Sequence, residues 1–227
     1  GISGILCLIY MFKKYEIFRI RKEEWKVSLS CCGRLVSIGL PMALQFSITA
    51  IGSIILQTAV NTLGTVSVTA VTAASKLQMI LTGPMECLGI TMATYCGQNM
   101  GAGALDRIRT GIRHALILTW VWSLGMILLS YTVAPRLIYL VTGSENPTIL
   151  ATATRYLKFD TLFYFAPAGI SILRNGLQGM GDHVTPIVSS SIELVGKIVA
   201  SVVLARIFQY WGIIIAEPIV WIFMVIP

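Results

Sequence analysis

YCGQNMGAGALDRIRTG (residues 95–111) is a polar, glycine-rich stretch that interrupts a strongly apolar chain. Three of its four glycines fall within seven residues, at Gly97, Gly101 and Gly103. Glycines at the end of an apolar helix allow two helices to approach closely, or allow the backbone to adopt a positive φ. The amides of Gln98 and Asn99 can hydrogen-bond the last carbonyls of such a helix. The stretch therefore predicts a helix end followed by a short loop.

The composition of the 227-residue chain is that of a membrane protein. It is 56% hydrophobic and only 12% charged, with a mean hydropathy of +0.79, whereas soluble domains are about 25% charged. Several apolar runs reach the roughly 20 residues that a membrane-spanning helix needs. We therefore expect an all-α transmembrane helical bundle whose first partner is the lipid bilayer.

The apolar runs predict how the spans are ordered along the chain. Residues 1–12 are interpreted as the end of a preceding transmembrane helix, and residues 13–36 as a basic connection that is either an interfacial helix or a plain loop. Residues 35–75 contain no charge and are too long for one span, so a turn is expected near 61–69. The spans of the following lobe (37–227) are expected at about 37–60, 75–97, 112–133, 152–173, 184–206 and 211–227, the last truncated by the chain end.

The distribution of lysine and arginine predicts the orientation of these spans. The net charge is +7, and most basic residues lie between apolar runs, which is the pattern of topology signals and not of a nucleic-acid interface. If residues 13–36 are cytoplasmic, that side holds eleven lysines and arginines and the opposite side five. The segments 13–36, 98–111 and 174–183 are therefore expected on the cytoplasmic side, and no nucleic-acid partner is expected.

No catalytic, metal-binding or cofactor-binding motif is recognisable. The five cysteines contain no C-x-x-C pair, and His114 and His183 are isolated. The glycine-rich stretch lacks the lysine and hydroxyl residue of a phosphate-binding loop. We expect no enzyme activity, no metal and no cofactor, although an intramembrane enzyme or a structural membrane subunit remains an alternative.

Ionisable and polar residues within the spans are the candidate functional residues. A charge at bilayer depth costs roughly 2.5–3.5 kcal/mol on insertion scales, so such residues usually face the interior of a bundle. They either mark an ion or substrate pathway or form structural ion pairs and polar clamps between helices. The candidates for ion coupling or for a cavity are Glu193, Glu86, Asp160, Lys197, Gln45, Asn61 and Asn175. Glu193 and Lys197 lie one helical turn apart, so they can pair on one face.

Three segments resemble the C-terminal half of multidrug and toxic compound extrusion (MATE) transporters: GLPMALQ (39–45), GQNMGAGALDRIRTG (97–111) and LRNGLQGMGDHVTPIVSSSIELVGK (173–197). The resemblance implies twelve helices in two six-helix lobes around a central cavity. The chain would then hold the end of helix six, helices seven to eleven and part of helix twelve, with an N-terminal lobe of the same parent protein as its partner. The residues implied to form the structural motif are Gly97, Gln98, Asn99, Gly101, Gly103, Gly179 and Asp182.

The same resemblance implies an antiporter in the cell (plasma or inner) membrane that exports organic cations or drugs in exchange for H⁺ or Na⁺. Family members with a known cation site carry one carboxylate in helix seven and one in helix ten, where this chain has Thr49 and Pro167. Coupling would then use Glu193, Glu86, Asp160 or a carboxylate of the N-terminal lobe. A related flippase for lipid-linked oligosaccharides or polysaccharides is the alternative, and arginines in the cavity would favour it.

Overall fold

A computed structural model describes residues 2–15 and 28–226 of the chain, and all regular structure in these residues is helical. The helices are α1 (Ile2–Lys14), α2 (Leu29–Asn61), α3 (Thr65–Gly101), α4 (Leu105–Thr142), α5 (Pro147–Thr161), α6 (Phe165–Gly179), α7 (Val184–Val199), α8 (Ala205–Phe208) and α9 (Tyr210–Met224). A π-helical turn (Ala200–Leu204) joins α7 to α8. The interfacial helix or loop expected within residues 13–36 lies largely outside the described residues.

The chain divides into two compact units, residues 1–39 and 40–227. The first contains α1 and the beginning of α2, and the second contains the rest of α2 and all later helices. Within the second unit, α3 packs against α4, α5 and α6, while α9 packs against α5, α6 and α7. The largest buried apolar cluster includes Leu77 and Leu81 of α3, Ile138 of α4, Leu157 of α5 and Val220 of α9. α3 is thus the central helix of this unit.

Local sequence determines where several of these helices begin and end. The turn between α2 and α3 lies at residues 62–64, inside the stretch where polar residues and a glycine predict it. α4 ends at Gly143, whose φ of 60° closes the helix in the left-handed conformation that glycine adopts easily. α5 begins after Asn146, whose side chain accepts the backbone N–H of Thr148 at 3.0 Å, with Pro147 in the first helical position.

The outer surface of the bundle is apolar. Three segments of the described chain are long and apolar enough to cross a membrane: Leu29–Asn61, Leu105–Thr142 and Val184–Phe208. α4 leaves Leu118, Val121 and Leu128 about 60% exposed, and such side chains are stable on the outside only against lipid or another apolar surface. The all-α transmembrane bundle expected from the sequence is confirmed.

The span expected at 152–173 differs from the structure, because it is broken into α5 and α6. Residues 162–164 form a tight turn in which the N–H of Phe163 binds the carbonyl of Asp160 at 3.0 Å. Pro167 explains the break: it has no N–H to donate, and its ring excludes a helical carbonyl four residues earlier, at Phe163. Apolar periodicity continues through the break, so hydropathy alone does not detect it.

The helices are also longer than the expected spans, which shortens the connections. The loop expected within 98–111 consists of residues 102–104, because α3 continues to Gly101 and α4 begins at Leu105. The turn expected at 174–183 begins only after α6 ends at Gly179. Hydropathy locates the bilayer core, whereas helices continue beyond it until a cap or glycine ends them.

Candidate functional site

A polar cavity of about 250 Å³ lies between α2, α3, α6 and α7. Its polar lining includes Gln45, Thr49, Glu86, Arg174, Asn175 and Glu193. Apolar side chains complete the wall, among them Ile90 of α3 and Trp221 of α9. The cavity therefore combines apolar walls with a few ionisable groups, which is the usual make-up of a small-molecule site.

Glu193 of α7 is held by a buried ion pair. Its Oε1 lies 2.8 Å from Nζ of Lys197, one turn further along α7. Both residues are more than nine-tenths buried. The Thr49 hydroxyl donates to the other oxygen of Glu193 at 3.0 Å, and Lys197 Nζ donates to the Ser53 hydroxyl at 3.2 Å. The pair therefore neutralises Glu193 and clamps α7 to α2, which is the geometry of a structural clamp.

Glu86 of α3 lies on the opposite wall and is exposed. Within the described residues it has no ion-pair partner, and its only hydrogen bond comes from the Ser171 hydroxyl at 3.3 Å. A close approach of α3 and α6 positions it: a Cβ added at Gly89 would lie 2.4 Å from Oγ of Ser171. Arg174, which lines the same cavity, is close enough to interact electrostatically with Glu86 but forms no ion pair with it. Glu86 is therefore a carboxylate of the cavity without a direct ion-pair partner in the described chain.

Arg174 is a cavity residue that the sequence places elsewhere. The expected topology puts it in a cytoplasmic turn, but it lies inside α6, five residues before that helix ends, and lines the cavity. Its Nη2 donates to the Ser189 hydroxyl at 3.1 Å, and the Ser189 hydroxyl donates to the carbonyl of Met224 at 3.1 Å. The sequence contains a periodicity that indicates this placement. Arg174 lies three residues after Ser171 and four before Gln178, so all three lie on the same face of a helix that continues through them.

The structure brings together only part of the candidate set. The cavity holds Gln45, Glu86, Asn175 and Glu193, and Lys197 contacts it through Glu193. Asn61 lies outside at the end of α2, where its side chain accepts a hydrogen bond from Gln57 at 3.2 Å. Asp160 is also outside the cavity, buried at the end of α5. The lining residues absent from the sequence-derived candidates include Thr49, Ser171, Arg174 and Gln178, whose side-chain amide donates to Gln45.

The glycine motif (residues 97–103) has a mixed structural role. Gly97 contacts Gly179 of α6, and Gly103 has a φ of 69° that places it in the left-handed region. The side chain of Asn99 donates to the carbonyl of Tyr95 at 2.8 Å. Two other residues of the motif do not have the contacts expected from the sequence. The Gln98 side chain is exposed and makes no hydrogen bond within the described chain, so it does not bind the last carbonyls of the helix. A Cβ at Gly101 would meet open space, so this glycine does not mark a close approach of two helices. Both lie on the outward face of the last turn of α3.

Asp182 begins α7 as a helix cap. Its carboxylate accepts the backbone N–H of Val184 at 2.9 Å and that of Thr185 at 3.2 Å, as well as the Thr185 hydroxyl at 2.7 Å. The hydrogen bonds from Thr185 lower the pKa of this partly exposed carboxyl below its ordinary value. Asp182 is thus a structural residue outside the cavity.

Comparison with known proteins identifies a family and a curated relative of this chain. The model of the MatE family matches residues 41–203. A curated relative, the probable multidrug resistance protein YoeA of Bacillus subtilis (strain 168), is 20% identical over 195 residues, which cover 85% of this chain and 42% of the relative. The chain therefore spans about two fifths of the length of that relative.

Solved structures share the fold at low sequence identity. A crystal structure of a MATE protein in complex with MaL6 matches with a TM-score of 0.82 and 18% identity, covering 96% of this chain and 51% of that one. A MOP superfamily transporter from Pyrococcus furiosus, described as having a binding pocket of reverse polarity, matches with a TM-score of 0.76 and 17% identity. This match covers 83% of the present chain and 42% of the transporter.

Proposed function

Because the chain belongs to the MatE family of multi-pass membrane transporters, we propose that it is one six-helix lobe of a secondary active antiporter that exports organic cations in exchange for H⁺ or Na⁺. An N-terminal lobe of the same parent protein completes the central cavity. The antiporter lies in the plasma membrane, with residues 13–36, the loop 102–104 and the turn 180–183 on the cytoplasmic side. The relative's name as a multidrug resistance protein favours drug-like substrates.

The observation that carries the proposal is the contrast between the two cavity carboxylates. Glu193 is neutralised by Lys197, whereas Glu86 has no ion-pair partner in the described structure and is exposed beside apolar residues such as Ile90. An amphipathic organic cation needs this combination, because its charge requires a counter-charge and its rings require an apolar surface. Glu86 is therefore assigned the role of cation contact.

Exchange follows if H⁺ or Na⁺ competes with the substrate for the same carboxylate. Occupation of Glu86 by either ion removes the counter-charge, so the organic cation binds less strongly and leaves. Transport also requires that the ion and the substrate prefer different facing states of the two lobes, because a ligand that binds both states equally shifts no population. Glu86 supports such a preference only if its exposure changes between the states.

Ethidium efflux from cells that produce the complete protein tests this assignment. A charge-assisted contact contributes roughly 1.5–3 kcal/mol, so Glu86→Gln is expected to weaken ethidium binding and slow efflux by about tenfold or more. Glu145→Gln, in the exposed loop before α5, is the matched control and is expected to match the wild type. Equal efflux by wild type and Glu86→Gln, with the same dependence on H⁺ and Na⁺ gradients, would exclude Glu86.

Arg174 favours a second candidate, a flippase for lipid-linked oligosaccharide or polysaccharide precursors. Its side chain lines the cavity, and a guanidinium with several N–H donors suits the oxygens of a phosphate. Binding of a lipid-linked pyrophosphate to the purified complete protein distinguishes the two candidates. Strong binding that is lost in Arg174→Gln, together with no ethidium efflux, would select the flippase.

A further inference from the structure

A second group of ionisable side chains lies outside the polar cavity, where α5 packs against α9. Residues spaced by four line this contact: Tyr156, Asp160 and Tyr164 from the α5 side, and Ile213, Glu217 and Trp221 from α9. At one end of this contact Tyr156 and Ile213 belong to the same buried cluster, and at the other end the rings of Tyr164 and Trp221 lie 6.3 Å apart. The middle positions, Asp160 and Glu217, therefore oppose each other, at a separation short enough for electrostatic repulsion.

Asp160 is buried without a partner. Only 1% of its surface is exposed, and neither carboxylate oxygen has a hydrogen-bond partner. The hydroxyl of Tyr164, a fully buried residue, also lacks a partner. It lies beside the carboxyl group of Asp160. Two independent side chains thus bring unsatisfied polar atoms into the same buried site.

Glu217 is held from the opposite side by a neutral group. The side-chain amide of Gln78 on α3 donates to its Oε2 at 3.1 Å. This hydrogen bond orients Glu217 but supplies no positive charge. One carboxylate oxygen of Glu217 remains for Asp160.

No cation of the described chain neutralises the pair. The buried residues of α3 and α4 include no acidic or basic side chain, and Tyr156 and Tyr210 are the other titratable groups nearby. The two cations of α5 contact rings elsewhere, Arg155 above Trp211 at 5.6 Å and Lys158 above Tyr131 at 5.3 Å.

The charged residues of the next helices, α6, α7 and α8, also do not neutralise the pair. Arg174 of α6 donates to Ser189, and Glu193 and Lys197 of α7 pair with each other. Arg206 of α8 is exposed. Two ionised carboxylates at this position would therefore repel each other without a compensating cation, and the charge of Asp160 would be completely buried, which is strongly unfavourable.

We propose that Asp160 and Glu217 form a second proton-binding site, which holds one proton between the two carboxyl groups and is separate from the polar cavity. A shared proton removes one negative charge and places an O–H between the two groups, where it satisfies an oxygen of Asp160. The Tyr164 hydroxyl then completes the polar surroundings of the pair. A neutral acid is also the form of Asp160 that tolerates complete burial.

This inference deepens the proposed function, because a proton held between α5 and α9 is a candidate for the exchanged ion. The site itself does not depend on transport, and its test measures protonation directly. The complete protein is reconstituted in lipid, and the carbonyl-stretch band of protonated carboxyl groups is recorded by infrared spectroscopy in H₂O and D₂O. At neutral pH ordinary aspartates and glutamates are ionised and contribute nothing to this band.

The wild type is expected to show a protonated-carboxyl band that shifts in D₂O. Asp160→Asn is expected to lose or displace this band, Glu217→Gln is expected to alter it, and Glu145→Gln leaves it unchanged. Asn is isosteric with the neutral acid, so Asp160→Asn is expected to keep the melting temperature of the wild type. If Asp160→Asn fails to fold, Glu217→Gln alone still provides the comparison.

Two results would overturn the site. One is a spectrum in which neither substitution changes the band. The other is a wild-type spectrum that lacks a protonated-carboxyl band at neutral pH. Ethidium efflux without this band would leave the antiporter proposal intact and refute the proton site alone. The band without ethidium efflux would support the proton site and refute the antiporter proposal.

Discussion

Gly97 of α3 lies directly against Gly179 of α6, since a Cβ added to Gly97 would come within 3.0 Å of the Gly179 carbonyl oxygen. From the other side, a Cβ added to Gly179 would lie 2.1 Å from the carbonyl oxygen of Ala93. The two backbones are therefore in contact without intervening side chains. Small residues that allow such contact are how transmembrane helices pack in the absence of a hydrophobic driving force.

Gly179→Ala is expected to destabilise the protein by about 1–3 kcal/mol, because the clashing atom belongs to the backbone and the helices must separate. Gly101→Ala is the matched control, since its Cβ would enter open space at the end of α3. Melting temperatures of the complete protein in detergent measure both effects. Equal melting of the two variants would show that α3 and α6 are not in backbone contact here.

Lys197→Met is expected to destabilise the protein by roughly 3–5 kcal/mol, because it leaves Glu193 as a buried charge without its ion-pair partner. Adding Glu193→Gln to the same protein removes that charge, so the double variant is expected to regain most of the lost stability. Lys76→Met, at an exposed position of α3, is the control. If the double variant is less stable than Lys197→Met, the two residues do not act as a neutralising pair.

Asp182→Asn tests the cap of α7 through its pH dependence. The hydrogen bonds from Thr185 lower the pKa of Asp182 in the folded protein, whereas an unfolded aspartate has a pKa of about 3.9. The stabilising contribution of Asp182 is therefore fully present above about pH 4 and is lost as the pH falls through the lowered pKa. The wild type is expected to melt above Asp182→Asn at neutral pH, and the two curves are expected to converge in acid. A constant difference at every pH would contradict the ionised cap.

The transmembrane class and the main turns follow from sequence because they depend on local properties. Uncharged length forces two helices between residues 35 and 75, and Gly64 marks the turn between them. The break before α6 is harder to predict, because Pro167 can kink a membrane helix or end it. Tyr164, in the turn at this break, is completely buried, and the sequence alone does not reveal this packing.

Which residues line the cavity depends on how each helix is rotated about its own axis, and hydropathy does not determine this rotation. Arg174 is assigned to a turn when the helix is ended at the last apolar residue, although α6 continues for five more residues. Asp160 and Glu86 have similar sequence surroundings, but one is buried against α9 and the other lines the cavity. Glu217 is not among the residues predicted from the sequence, because it lies in an apolar run near the end of the chain. Its proximity to Asp160 follows only from the packing of α5 against α9.

Glu86→Cys tests whether the polar cavity is reached by water. In a complete protein whose native cysteines are all replaced, a thiol at this position is expected to react with a charged, water-soluble maleimide, because Glu86 is exposed in the cavity. Val121→Cys is the control: it is 64% exposed on the apolar surface of α4, where lipid excludes a charged reagent. Ethidium is expected to slow the labelling of Glu86→Cys only. Labelling of Val121→Cys with none of Glu86→Cys would place Glu86 against lipid and remove the basis of the cation contact.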